Sequence, residues 1–185
     1  MKTNVVFAAW LLVLCFTLGG TPLFAQDALE PMDVTSAFIP SGYLGDGGAM
    51  SLGQLDGTRP DSFCTKIIYT PRSDGWGGVY WQYPDNNWCK KRGLVLSGYT
   101  KLTFWVRGET GRERVKFKVG HDCAGESFAL NPPKDQHLTT SWQQVTINLS
   151  GKDLSNITGG FAWIVDSHAN AGKTITFYLD DIQFE

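Results

Sequence analysis

Residues 101–108 read KLTFWVRG, and the fold turns on how that octet is read. Leu102, Phe104 and Val106 share one parity, and Thr103, Trp105 and Arg107 share the other. Successive side chains of a strand point to opposite faces, so this alternation predicts a half-buried β-strand. Working outward, RVKFKVG at 114–120 repeats the pattern, with Val115, Phe117 and Val119 set against Lys116 and Lys118. WQQVTINLSG places Val145, Ile147 and Leu149 opposite Thr146 and Asn148. Further strands read from CTKIIYT, GVYWQY, GFAWIVD and TITFYLDDIQF. GETGRE, PRSDGWGG and SGKDLSNITGG read as connections, and DLSNI at 153–157 has room for one helical turn at most. Strands dry on one face only must pack in two facing layers. The expectation is one all-β, antiparallel β-sandwich over residues 33–185.

What precedes residue 33 reads differently. Met1-Lys2 gives a positive start, Val5 to Leu18 is apolar apart from Thr17, and Gly19-Gly20, Pro22 and Ala25 follow. That is the layout of a secretory signal peptide over residues 1–25, whose apolar run is too short to span a bilayer comfortably; an uncleaved membrane anchor is the alternative. Residues 26–32 read as a short flexible tail. The expected location is therefore secreted or periplasmic, with no membrane span left after cleavage.

A net charge of -2, a pI near 5.9, 13% aromatic and 18% charged residues exclude the basic excess of a nucleic-acid binder. They suit a neutral or mixed-charge partner. Export permits a disulfide among Cys64, Cys89 and Cys123. Cys64 and Cys89 flank an apparent β-hairpin and are the expected pair. His121-Asp122-Cys123 reads as a polar loop, since three adjacent residues on a strand cannot face one centre.

The last strand breaks register. Ile175, Phe177 and Leu179 have odd parity, whereas Ile182 and Phe184 are even. Burying both sets on one side requires an extra residue at Asp180-Asp181, a β-bulge. Two acids at a kink either start a calcium site, because Ca²⁺ takes several hard oxygens, or form a solvated edge pair.

Trp105 and Arg107 lie opposite a clear apolar face, so they are expected on an outer surface. In GWGGVYWQYPDNNW, residues 75–88, Val79, Trp81 and Tyr83 share the core parity, leaving Tyr80 and Gln82 outside. Tyr80 and Gln82 are expected to join Trp105 and Arg107 on one face, with Trp76 and Trp88 walling its ends. Indole and phenol faces stack on the C–H faces of sugar rings, while Gln and Arg bond hydroxyls. Lys116 and Lys118 are expected to extend this face and admit uronic or sulfated sugars.

GWGGVYWQYPDNNW, LSGYTKLTFWVRGETG, SWQQVTINLSGKDLSNITGGFAWIV and TFYLDDIQFE together resemble the jelly-roll carbohydrate-binding modules of bacterial polysaccharide-degrading systems, which have the galactose-binding-like fold. The resemblance runs from about Asp33 to Glu185. It implies a sandwich of about eight strands that binds poly- or oligosaccharides without catalysis. It further implies a structural calcium at Asp180 or Asp181, to which an early acid such as Asp46 contributes. A glycosidase or lyase is the main alternative, which needs paired carboxylates or a Tyr/His base with a charge neutraliser. The other is an envelope or adhesion protein using the rings as an interface.

Overall fold

The computed structural model describes residues 29–59 and 62–185, so the expected leader lies outside the described residues. Among them eleven strands, one short α-helix and one 3-10 turn (Gly47–Ala49) form. In chain order they are β1 (Met32–Asp33), α1 (Val34–Ala37), β2 (Ile39–Gly45), β3 (Met50–Arg59), β4 (Ser62–Tyr69), β5 (Trp76–Gln82), β6 (Lys101–Gly108), β7 (Arg114–Lys118), β8 (Lys134–His137), β9 (Gln143–Asn148), β10 (Gly159–Asp166) and β11 (Ile175–Phe184). Every segment read as a strand from its alternation is one. The additional strands are short, glycine-interrupted or polar at an edge, so they carry little period-two signal.

The strands divide into two antiparallel sheets. One runs β3-β4-β11-β6-β9, with β1 also paired to β11; the other runs β2-β5-β10-β7-β8. Their inner faces meet in one core. Leu102, Phe104 and Val106 from β6 face Val115 and Phe117 from β7 and Phe161, Trp163 and Val165 from β10, all essentially sealed from solvent. Phe104 sits 4.6 Å from Phe117 and 5.1 Å from Phe161, centroid to centroid, in tilted and edge-on contacts favoured by the ring quadrupole.

The bulge falls where the parity break requires it. The pairing of β11 with β6 shifts register between Asp180 and Gln183, and Asp181 takes a left-handed φ of 45°. Ile182 and Phe184 thereby return to the core.

One expectation needs correction. Met32, read as the end of a flexible tail, pairs with Phe184 and packs on the core, while residues 29–31 before it are exposed, with the Tyr99 hydroxyl donating to the Glu30 carbonyl. Residues 153–157 stay within the limit of one helical turn, since none forms. Leu154 and Ile157 are both buried anchors, and Ile157 bridges to Leu94 across a bend at Ser155-Asn156.

Candidate functional site

The expected single binding face is split between the two sheets. Trp105 and Arg107 lie on β6, whereas Tyr80 and Gln82 lie on β5, and Lys116 and Lys118 on β7. Parity placed each of them on an outer face correctly, but β6 belongs to one sheet and β5 and β7 to the other. The two groups therefore back onto opposite sides of the core. Alternation says that a side chain leaves the core without saying through which layer.

On the β6 side, the Arg107 guanidinium lies 3.9 Å from the Tyr178 ring centroid and 5.5 Å from that of Trp142. The Tyr178 hydroxyl donates to Glu109 at 2.6 Å. Burial raises the Tyr178 hydroxyl above its ordinary range, and the Glu109 bond adds to that. Arg107 is thus stacked on this chain's own rings, and Trp105 beside it is half-buried.

On the β5 side lies a hollow of about 370 Å³ lined by Trp76, Trp88, Tyr80, His121, Lys118 and Ile164, among others. Trp76, at the start of β5, is 39% exposed. Trp88 stands on the loop after β5, its indole N–H donating to Asn86 at 2.6 Å. The structure therefore brings Trp76, Trp88 and Tyr80 together, as expected.

Tyr80 and Gln82 are not an open surface, however. His121 lies flat on Tyr80, with ring centroids 3.9 Å apart, and Gln82 is fully buried. The Asn86 amide donates to Ser41 Oγ, and the Ser41 hydroxyl donates to Gln82 Oε1. Gln82 Nε2 then faces His121 Nε2 at 3.2 Å and donates to it, leaving the imidazole proton on Nδ1. Burial, helped by the Lys118 charge, lowers His121 to about 4, so the ring is neutral at physiological pH. Burial also pushes the Tyr80 hydroxyl well up, with Asp122 and Glu126 adding to it.

Lys118 is closed off as well. It is buried and ion-paired with Asp122, so it adds no net positive charge to the groove. Lys116, also on the outer face of β7, is half-buried and pairs across the ladder with Asp135.

The sequence does not single out His121, because its position depends on which cysteines pair. The bond joins Cys89 to Cys123, not Cys64 to Cys89. Cys64 is buried on β4 in the opposite sheet. Pairing Cys123 with Cys89 is what lays 121–123 beside Trp88, and Trp88 and His121 end up 5.6 Å apart. Glu126 fixes the same loop to β10 by accepting from the Thr158 and Gly159 amides.

The acids expected to hold calcium are only partly together. Asp180 and Asp181 line a second hollow, of about 290 Å³, with Asp33, Thr35, Gln54 and Thr65. Asp46 lies elsewhere, its carboxylate accepting from the Tyr69 hydroxyl and the Arg72 and Asp74 amides near the other end of β4. Burial raises the Asp46 carboxyl, but these donors outweigh it and hold the group below its ordinary range. Among the described residues, the one trio of Cys, His, Asp or Glu donors close enough to share a metal is Cys89, Cys123 and Glu126. Its two sulfurs are already joined.

Three comparisons with known proteins bear on this geometry. The sequence profile of carbohydrate binding domain 30 matches residues 60–185. A family 30 module of cellulosomal cellulase Cel9D-Cel44B of Clostridium thermocellum superimposes with a TM-score of 0.62 at 16% identity, covering 85% of this chain and 98% of that one. A family 11 module from the same organism, solved with a β-1,3-1,4-mixed-linked tetrasaccharide, superimposes with a TM-score of 0.56 at 17% identity, covering 83% and 93%. An exo-β-agarase superimposes with a TM-score of 0.54 at 14% identity over 83% of this chain but 25% of its own. A search of the curated proteins finds no match. At these identities the superpositions establish the jelly-roll sandwich, and the profile, spanning about two-thirds of the sequence, establishes kinship. The chain belongs to the carbohydrate binding domain 30 family.

Proposed function

We propose that the groove outside β5 and β10 is where this module holds a neutral poly- or oligosaccharide, and that it does so without catalysis as part of an exported protein. The observation that carries the reading is the hollow walled by the Trp76 and Trp88 indoles. An indole wall supplies dispersion and apolar burial to a sugar's C–H face. The Asp122 carboxylate and the polar edge of the groove are within the same lining and suit hydroxyls. Because Lys118 and Asp122 neutralise each other, the groove favours a neutral chain over the uronic or sulfated sugars that two outward lysines had pointed to.

Hydrolysis or elimination needs groups that this groove holds in the wrong state. The His121 Nε2 lone pair is taken by Gln82 and burial makes the ring a weak base, and the Tyr80 hydroxyl is pushed away from the range of a useful base. Glu126 accepts from backbone amides and Asp122 is ion-paired with Lys118, so the groove does not present two unengaged carboxylates as an acid and base pair. Export rests on the leader-like run at 1–25. Among the described residues no helix is long and apolar enough to cross a membrane.

The same proposal gives the β11 bulge a structural calcium. The hollow at Asp180 and Asp181 is lined by carboxylate, amide and hydroxyl oxygens, which is the donor chemistry Ca²⁺ takes. Bound there, the ion would neutralise adjacent acids and tie the bulge to neighbouring strands.

Affinity electrophoresis of the chain through gels containing neutral β-glucans tests the binding claim. Retardation in at least one gel, with no reducing ends released on incubation, supports it. Unretarded migration across a broad panel of neutral glycans removes it.

A further inference from the structure

The loop that carries Trp88 is held in a conformation its own residues disfavour. Asn86, Trp88 and Cys89 have φ of 51°, 47° and 59°, three left-handed non-glycine residues within four positions. Bulky L-residues adopt that region only where their surroundings over-determine it. Two fastenings supply that constraint. The buried Asn87 side chain donates to the Tyr83 and Lys91 carbonyls and accepts from the Lys91 amide, closing the loop on itself. The Cys89–Cys123 bond, across 34 residues, ties the loop to the segment bearing His121 and Asp122.

Asn87 fixes the shape of the loop. The disulfide, together with the Asn86 amide bond to Ser41 Oγ on β2 and the Tyr83 amide bond to the Thr158 carbonyl, fixes where the loop stands over the sheet. Of these, the disulfide alone is covalent and reaches the His121 segment. Cys89 is adjacent to Trp88, and Cys123 is two residues from His121. Both sulfur-bearing residues are half-buried and line the hollow itself. The bond is therefore reachable by a small solute through the same opening that would admit a sugar.

We propose that the Cys89–Cys123 bond is a redox-sensitive positioning element of the glycan groove: oxidised it holds the Trp88 wall against His121, and reduced it releases that wall. The inference rests on the groove reading above. The chemistry is ordinary exchange with a small dithiol. One thiolate of the reductant attacks a cysteine sulfur, forms a mixed disulfide and expels the other cysteine as a thiolate. The second thiol of the reductant then displaces the first cysteine, leaving the reductant as a cyclic disulfide and the protein with two thiols. Linkage makes the effect reciprocal: if reduction weakens glycan binding by some factor, bound glycan resists reduction by the same factor.

The test uses the whole chain, dithiothreitol and soluble mixed-linkage β-1,3-1,4-glucan as the probe. The oxidised chain is expected to bind at least tenfold more tightly than the reduced chain, with reoxidation restoring affinity. Saturating glucan is expected to make Cys89 and Cys123 correspondingly harder to reduce, read by thiol alkylation and mass spectrometry. Equal affinity in both states overturns the proposal. If neither state binds the probe, hydrogen exchange decides the matter independently of the groove reading. Loss of protection confined to residues 86–91 on reduction, with β5 and β10 unchanged, supports the positioning role. Unchanged protection, or loss throughout both sheets, overturns it.

Discussion

His121 lies flat on Tyr80, 3.9 Å between centroids and 25° between planes, and its Nε2 faces Gln82 Nε2 at 3.2 Å. One imidazole thus covers the phenol, caps the buried amide and stands 5.6 Å from the Trp88 ring. The groove wall and the buried relay beneath it are therefore one unit, and perturbing the relay should reach the sugar.

Gln82 is the first place to perturb it. The side chain is fully buried and joins Ser41 to His121. Gln82→Leu leaves the Ser41 hydroxyl and the His121 ring nitrogen without their buried partner. A cost of about 1–3 kcal/mol is expected, since a buried polar group left unsatisfied pays its desolvation in full. Equilibrium denaturation measures it, and glycan affinity should fall with it. An unchanged midpoint would show that the relay is decorative.

The pH dependence follows from the same ring. His121 titrates near 4 in the folded chain, because burial disfavours its charged form, against 6.5 for the ordinary group. Between those values the unfolded chain binds the proton and the folded chain does not, so stability falls as pH falls through that window and is fully present above it. His121→Gln should flatten the melting temperature between pH 6.5 and 4 relative to wild type. Parallel curves for the two proteins would contradict the assignment.

Much of this architecture was legible from alternation alone. The parity of KLTFWVRG, RVKFKVG and GFAWIVD sets which side chains fill the core, and the switch of parity at Asp180-Asp181 locates the bulge. Strand β8, KDQH, carries no apolar stripe and is visible only through its pairing with β7. The candidate site was half legible. Trp76, Trp88 and Tyr80 do meet, but which sheet receives a strand is decided by long-range pairing, and alternation is blind to it. For that reason alternation groups Trp105 and Arg107 with rings that lie on the far side of the core. His121 was hidden for a related reason: its place depends on which two cysteines join, and spacing alone does not choose among three.

Calcium makes a separate forecast. If Asp180 and Asp181 hold the ion, chelation with EDTA should lower the melting temperature and added Ca²⁺ should restore it, since a ligand bound only by the folded chain stabilises it by mass action. Asp180→Asn should abolish that response. Identical melts with and without chelator would leave the two acids as a structural feature of the bulge.

The most direct measurement compares two indoles on opposite sides of the core. Trp88→Ala and Trp105→Ala should be titrated with the same soluble neutral glucan by calorimetry, after near-ultraviolet circular dichroism confirms that both fold. A groove outside β5 and β10 predicts that Trp88→Ala loses about 2 kcal/mol of binding, roughly thirtyfold, as central aromatic contacts do. It predicts that Trp105→Ala binds within about twofold of wild type. The opposite ranking, with affinity lost at Trp105 and kept at Trp88, would place the sugar on the other sheet and contradict the account.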